Sequence, residues 1–271
     1  MSLMELDVKF IKPLALIVAI SSSLASAHEQ WLEPNQYQVQ PEATVKADIR
    51  IGQNFKGYAY PYLEHETEQF VERDSSGLRK VNAITGDKPA YQSTMSEEGL
   101  RWVGLDSKAY DLTFDSEKKF VDYIKGEGLE WVLDWYKEQG KSREGVTETY
   151  YRHAKTLFSV AGSAEPEWVT KPLGQRLELI PVAAFTQCDT APTFQLLWQG
   201  EPLEGALVRR FIKGKRGTEQ YRTNQNGKVR FTAQEGPFLI NAVRIDYGSE
   251  PRAKGKDWVS DWASLTYQCQ I

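Results

Sequence analysis

Histidine and cysteine are among the scarcest residues of this chain, three of one and two of the other in 271. Cys188 and Cys269 lie too far apart for a CxxC redox or metal motif. In an exported chain two cysteines can pair in only one way, as a single disulfide. An all-imidazole metal site would need His28, His65 and His153 to converge, because there is no fourth. Basic charge is not in excess either: 33 Lys and Arg stand against 37 Asp and Glu, for a net charge of −4, so nothing points to a nucleic-acid partner. There is no Gly-x-Ser-x-Gly elbow, no phosphate loop and no dinucleotide fingerprint, and no serine stands out as a triad nucleophile. The apolar run at residues 14–20 falls far short of the ~20 residues of a membrane span, so no membrane insertion of the mature chain is expected.

What is present begins with an export signal. Lys9 and Lys12 precede the apolar run LALIVAI, and Ala25-x-Ala27 is a small-residue cleavage site, so residues 1–27 read as a signal peptide. No cysteine follows the cut to take a lipid, and a soluble periplasmic product is expected. Cleavage after Ala27 makes His28 the first residue of the mature chain. Two readings of His28 then stand. It is an ordinary exposed terminus, or its free α-amine and imidazole Nδ1 close a chelate ring on a divalent metal, which no internal histidine can do. Imidazole suits copper, nickel, zinc and iron alike. Trp31, Leu32 and Pro34 suggest a packed segment, with Glu29 and Glu33 as nearby carboxylates.

The patterning predicts a mainly β protein of two β-sandwich-like domains, the second immunoglobulin-like, with an α-helical insertion in the first. The expected boundaries are 28–181 for the N-terminal β domain, about 116–160 for the insertion and 182–271 for the C-terminal sandwich. Residues 42–50 alternate Ala43, Val45, Ala47 and Ile49 with polar residues, which is a half-buried strand. From Ser116 the period becomes helical, through Phe120, Tyr123 and Ile124 and then Leu129, Val132, Leu133 and Tyr136, closing at Gly140. Residues 147–157 are a third element of that block, and residues 174–181 the last strand of the first domain. Beyond them, about seven short strands with turns every 8–12 residues, including the Asn224-Gln225-Asn226-Gly227 hairpin signal, match a sandwich. Cys188 near its start and Cys269 at its end would tie the first strand to the last.

At family level the chain resembles exported proteins grouped as a periplasmic component of nickel/cobalt uptake systems. The mature start His28-Glu-Gln-Trp31-Leu32-Glu-Pro34 resembles that family's His-x-x-Trp-Leu-x-Pro opening. Later blocks match in order: residues 151–155, 177–181, 200–208, 223–231 and 262–267. The resemblance implies a two-part periplasmic protein handling nickel, cobalt or copper, with a membrane transporter component as a partner. Two departures mark this chain: Gly52 is followed by Gln53 where members often carry Gly-His, and residues 238–245 contain no histidine.

The candidate metal ligands are therefore His28 first, His153 second and His65 third. A set of the His28 amine, its Nδ1 and one further imidazole is tetragonal, which favours Cu(II) or Ni(II). His65, between Glu64 and Glu66, also reads as a solvated loop residue, and His153 as a ring stacked or bonded to a carboxylate. Two other functions fit the same residues. A non-catalytic ligand- or peptide-binding module would use Phe55, Tyr58, Tyr60, Tyr62, Trp131 and Trp135 as a cleft, and a copper-dependent oxidative enzyme would use the terminal histidine as a copper brace.

Overall fold

The computed structural model describes residues 28–161, 167–183 and 187–269. The signal segment expected at 1–27 lies outside the described residues.

The opening strand Glu29–Pro34 pairs antiparallel with Thr44–Gln53, which in turn pairs with Lys56–Tyr60 and Tyr91–Thr94. The alternation read at 42–50 is realised: Val45, Ala47 and Ile49 are buried while Thr44 and Lys46 face solvent. The turn out of this strand is tight. Asn54 and Phe55 both take positive φ (54° and 59°), and a Cβ on Gly57 would sit 2.7 Å from the Trp31 ring. Glycine at 57 therefore lets the hairpin close down over the opening strand.

A ten-stranded sheet runs through the molecule. Its middle is the strand Thr147–Val160, hereafter the central strand, which lies parallel to the final strand Trp258–Gln268 from Glu148↔Trp258 to Thr156↔Thr266. On its other side the central strand pairs antiparallel with Gly99–Ser107, followed by Thr67–Asp74 and Gly77–Lys80. Beyond the final strand come Pro237–Tyr247, Leu207–Ile212 and Glu219–Arg222. A separate sheet of Leu177–Ala183, Thr193–Trp198 and Lys228–Arg230 packs on these last strands. Leu177, Phe194 and Val229 from one sheet meet Val208, Phe238 and Leu265 from the other. The order of strands in the two layers is that of an immunoglobulin-like sandwich. The Cys188–Cys269 disulfide forms and joins the link between its first two strands to the residue after its last.

Two expectations change. The stretch 116–160 is helical only at Glu117–Gly126 and Trp131–Gln139, the first capped by Ser116 Oγ and the second closed by Gly140 in the left-handed region. Residues 147–160 form the central strand instead. Its Thr, Tyr, Phe and Val content suits a strand, but the polar side chains that hid the alternation are buried with partners rather than turned to water. Leu177–Ala183 pairs with Thr193–Trp198 and is thus the first strand of the sandwich, because Leu177 and Leu179 are drawn into its core. The ten-stranded sheet itself contains strands from both sides of residue 181.

Candidate functional site

Successive side chains of a strand point to opposite faces. On the central strand Arg152 therefore faces one way and Tyr151 and His153 the other. The opening strand crosses the Arg152 face, where the Thr266 hydroxyl, on that same face, donates to the Leu32 carbonyl.

Arg152 is the organiser of the His28 corner. Its Nη2 donates to the His28 carbonyl at 3.0 Å, and its guanidinium lies 4.9 Å from the Tyr150 ring and 5.4 Å from the Tyr110 ring. Those two rings stack on each other, and the Tyr110 hydroxyl donates to Glu66 at 2.8 Å. Tyr60 reaches the same carboxylate at 3.3 Å. Exposed His65 stands beside it, its Nε2 3.7 Å from Glu66 Oε1. Contacts thus run from His65 through Glu66, Tyr110 and Arg152 to half-buried His28.

Behind this corner is a buried polar layer. Arg209 bridges Glu29 (3.4 Å) and Glu127 (2.7 Å) and donates from Nε to Asn241. Burial raises the Glu29 carboxyl, against the pull of Arg209, and lifts Glu127 to about 7 against the same pull. Glu148, wholly buried on the central strand, is also pushed up to about 7 by burial, partly offset by hydrogen bonds from Ser260 and Tyr123 to its Oε1. Its Oε2 has no hydrogen-bond partner among the described residues.

His153 belongs to the opposite face. Its Nδ1 lies 3.0 Å from Asp106 Oδ1 and its Nε2 2.9 Å from Asp261 Oδ1. Burial alone would lower its pKa, but the two carboxylates outweigh that and hold it at about 9. The ring is therefore an imidazolium near neutral pH, with both nitrogens donating and no lone pair for a metal. Asp106 further accepts from Gln69 and Gln175, and Asp261 from Arg252. Close by, buried Lys155 and Glu178 pair at 2.7 Å. Burial pulls the lysine down, and the Glu178 carboxylate also accepts the backbone N–H groups of Leu173, Gly174 and Gln175.

The three histidines are thus divided, His28 and His65 along one chain of contacts and His153 across the sheet. Among the described residues no group of three or more His, Cys, Asp or Glu is arranged to hold a metal ion. The aromatic residues are divided as well. Phe55 packs edge-on to Trp31, Tyr62 stacks on Phe70, and Trp131 and Trp135 meet Tyr247 and Trp258 under the helices. Arg152, Asp106, Glu148 and Asp261 went unread as functional residues. The signal they carry is a charged side chain inside a strand-forming run, as in Val103-Gly-Leu-Asp106 and Ser260-Asp261-Trp262.

Comparison with known proteins adds little beyond kinship. A family model described as a domain of unknown function (DUF4198) matches residues 25–246. No curated protein matches the chain. Among solved structures it is similar to the D0-D1 domain of intimin, with 10% identity over 88% of this chain and 97% of that one, at a TM-score of 0.20. It is also similar to dimeric latent PorU from Porphyromonas gingivalis, with 10% identity over 95% and 22% of the two chains, at 0.21. For Salmonella alpha-2-macroglobulin reacted with methylamine the values are 11%, 90% and 15%, at 0.20. Likenesses this weak carry no argument about function.

Proposed function

The chain belongs to this family of unknown function, and from that premise we propose that it is a periplasmic protein that binds a divalent transition metal through residue 28, as an accessory of metal uptake. The observation that carries the reading is the Arg152 hydrogen bond to the His28 carbonyl, with the guanidinium held by Tyr110 and Tyr150. It fixes the backbone of residue 28 at the start of a strand whose next four residues are buried. Once residues 1–27 are removed, the α-amine and the ring of His28 are both available from a position that no longer frays. His65 and Glu66 are linked to this corner only through Tyr110 and Arg152, so the chelate is the amine and ring of His28 alone, with its remaining positions left to water or a partner. His153 drops out of the ligand set because both its nitrogens are committed to carboxylates.

A nitrogen-rich set of this kind ranks copper above nickel and cobalt on intrinsic affinity, so selection for nickel would come from supply or from a partner. An α-amine of pKa about 7.7–8.0 must lose its proton to bind, so affinity falls as pH drops through that range. The test is calorimetric titration of Cu(II), Ni(II) and Co(II) into protein starting at His28, beside protein carrying one extra residue before it. Binding confined to the His28 start, and unchanged in H153Q, is the expected result. Equal weak binding to both forms would remove the proposal.

A further inference from the structure

The face of the central strand that carries Tyr151 and His153 opens into a cleft of about 520 Å³, walled by Gln69, Lys108, Tyr151, His153, Arg176 and Lys254. That volume lies in the range of about 300–1,000 Å³ typical of small-molecule sites. The floor of the cleft at His153 lies across the sheet from Arg152, and its rim meets the His28 corner where the Lys108 backbone N–H donates to the Glu66 carbonyl.

Its charges are sorted by depth. At the floor the acids are already satisfied: Asp106 takes hydrogen bonds from His153, Gln69 and Gln175, and Asp261 takes them from His153 and Arg252. The cations at the rim are not. Lys108 and Lys254 are exposed and form no ion pair among the described residues. The nearest carboxylate oxygen to Arg176 is Asp261 Oδ1, 3.9 Å from its Nε and already shared by His153 and Arg252. Glu68, exposed at the mouth, is the one opposing charge on the wall besides the satisfied Asp106.

Two features hold these cations in place. The Lys155–Glu178 pair clamps the backbone at 173–175, from which Arg176 projects. Lys254 closes the short helix Pro251–Ala253, its backbone N–H donating to the Pro251 carbonyl at 3.3 Å with φ at 51°. Field lines from cations around a concave, partly dry wall are focused into it.

We infer that this cleft binds a small organic anion bearing at least two carboxylate or phosphate groups, one met by Arg176 and another by Lys108 and Lys254. The charged donors on offer are the guanidinium of Arg176 and the ammonium groups of Lys108 and Lys254, Asp106 at the floor is occupied, and three cations around one hollow suit a polyanion better than a single charge. The guanidinium can take an oxyanion bidentately, while the lysines act as point charges.

The test uses metal-free full-length mature protein at low salt, titrated calorimetrically with citrate and with inorganic phosphate. Citrate is expected to bind saturably, about tenfold or more tighter than phosphate, and to weaken as salt rises. The K108A/K254A double variant and R176Q should each lose about tenfold in citrate affinity. K213A/K215A, in a hairpin turn outside the cleft, should bind as wild type does. Thermal melts of the exposed-lysine variants check that the fold is retained. No saturable citrate binding up to about 10 mM, or equal binding in K108A/K254A, overturns the inference. Because metal is excluded and His28 is untouched, that outcome is independent of the metal proposal.

Discussion

The buried imidazolium makes the sharpest quantitative prediction. His153 is held at about 9 in the folded chain against an ordinary 6.5, and it is only 5% exposed, so solvent does little to screen its two partners. At about 1.36 kcal/mol per pKa unit, charging this ring contributes about 3 kcal/mol to stability. Because the folded value is the raised one, that contribution is complete below about pH 6.5 and is lost as pH rises through about 9. The perturbation is H153Q, which removes the titrating ring and keeps one hydrogen-bond donor. The assay is urea unfolding of wild type and variant at intervals from pH 6 to pH 9.5. At pH 6 the variant should be weaker by about 3–5 kcal/mol, the usual cost of breaking a buried charged pair. By pH 9.5 about 3 kcal/mol of that gap should have closed, a relative midpoint shift of about 1 M urea or more. Glu127 and Glu148 titrate in both chains and cancel in the comparison. A gap that stays constant across the range would refute the assignment of His153 as a charged, doubly bonded ring.

Two further outcomes follow from the same structure. Glu148, raised to about 7 from 4.5 by burial, has its stabilising protonated form below about pH 4.5 and loses it as pH rises through 7. E148Q, which cannot ionise, should therefore gain melting temperature relative to wild type between pH 5 and pH 8. The same melting difference at both pH values would count against a carboxyl that is neutral by preference. The disulfide spans 81 residues, and loop-closure entropy assigns a cross-link of that span about 4 kcal/mol. C188S/C269S should show that loss in urea unfolding, and a loss below about 1 kcal/mol would mean that the sandwich holds its ends without it.

The parts of the fold legible in the sequence are those where hydropathy and accessibility agree. Val45, Ala47 and Ile49 alternate with exposed partners, and Ser116 and Gly140 bracket the helical stretch, so the first sheet and both helices could be read directly. The pairing of Cys188 with Cys269 needed only a count. The central strand was illegible because Glu148, Arg152, His153 and Lys155 are hydrophilic by type and buried in fact. Each is held by partners tens of residues away, such as Asp261 for His153 and Glu178 for Lys155. No local pattern reports such pairs. The same limit applied to the site. His28 stood out by its place after a cleavage motif, whereas its anchor, Arg152, is 124 positions distant.

The parallel seam between the central and final strands also dictates an order of events in time. Residue 148 meets residue 258 there, so the middle of the largest sheet is closed by a contact 110 positions long. Until residues 258–268 have been made, the central strand has one bare edge, and the sandwich lacks its last strand. Contacts this distant are reached slowly, because the chain must give up loop entropy before any pairing rewards it. Early-made segments can form hairpins as they emerge, but the molecule locks as a whole only at the end. A chain built this way completes its largest sheet only when its last strand is in place, so loss of that strand would unpair the centre of the sheet rather than trim its edge.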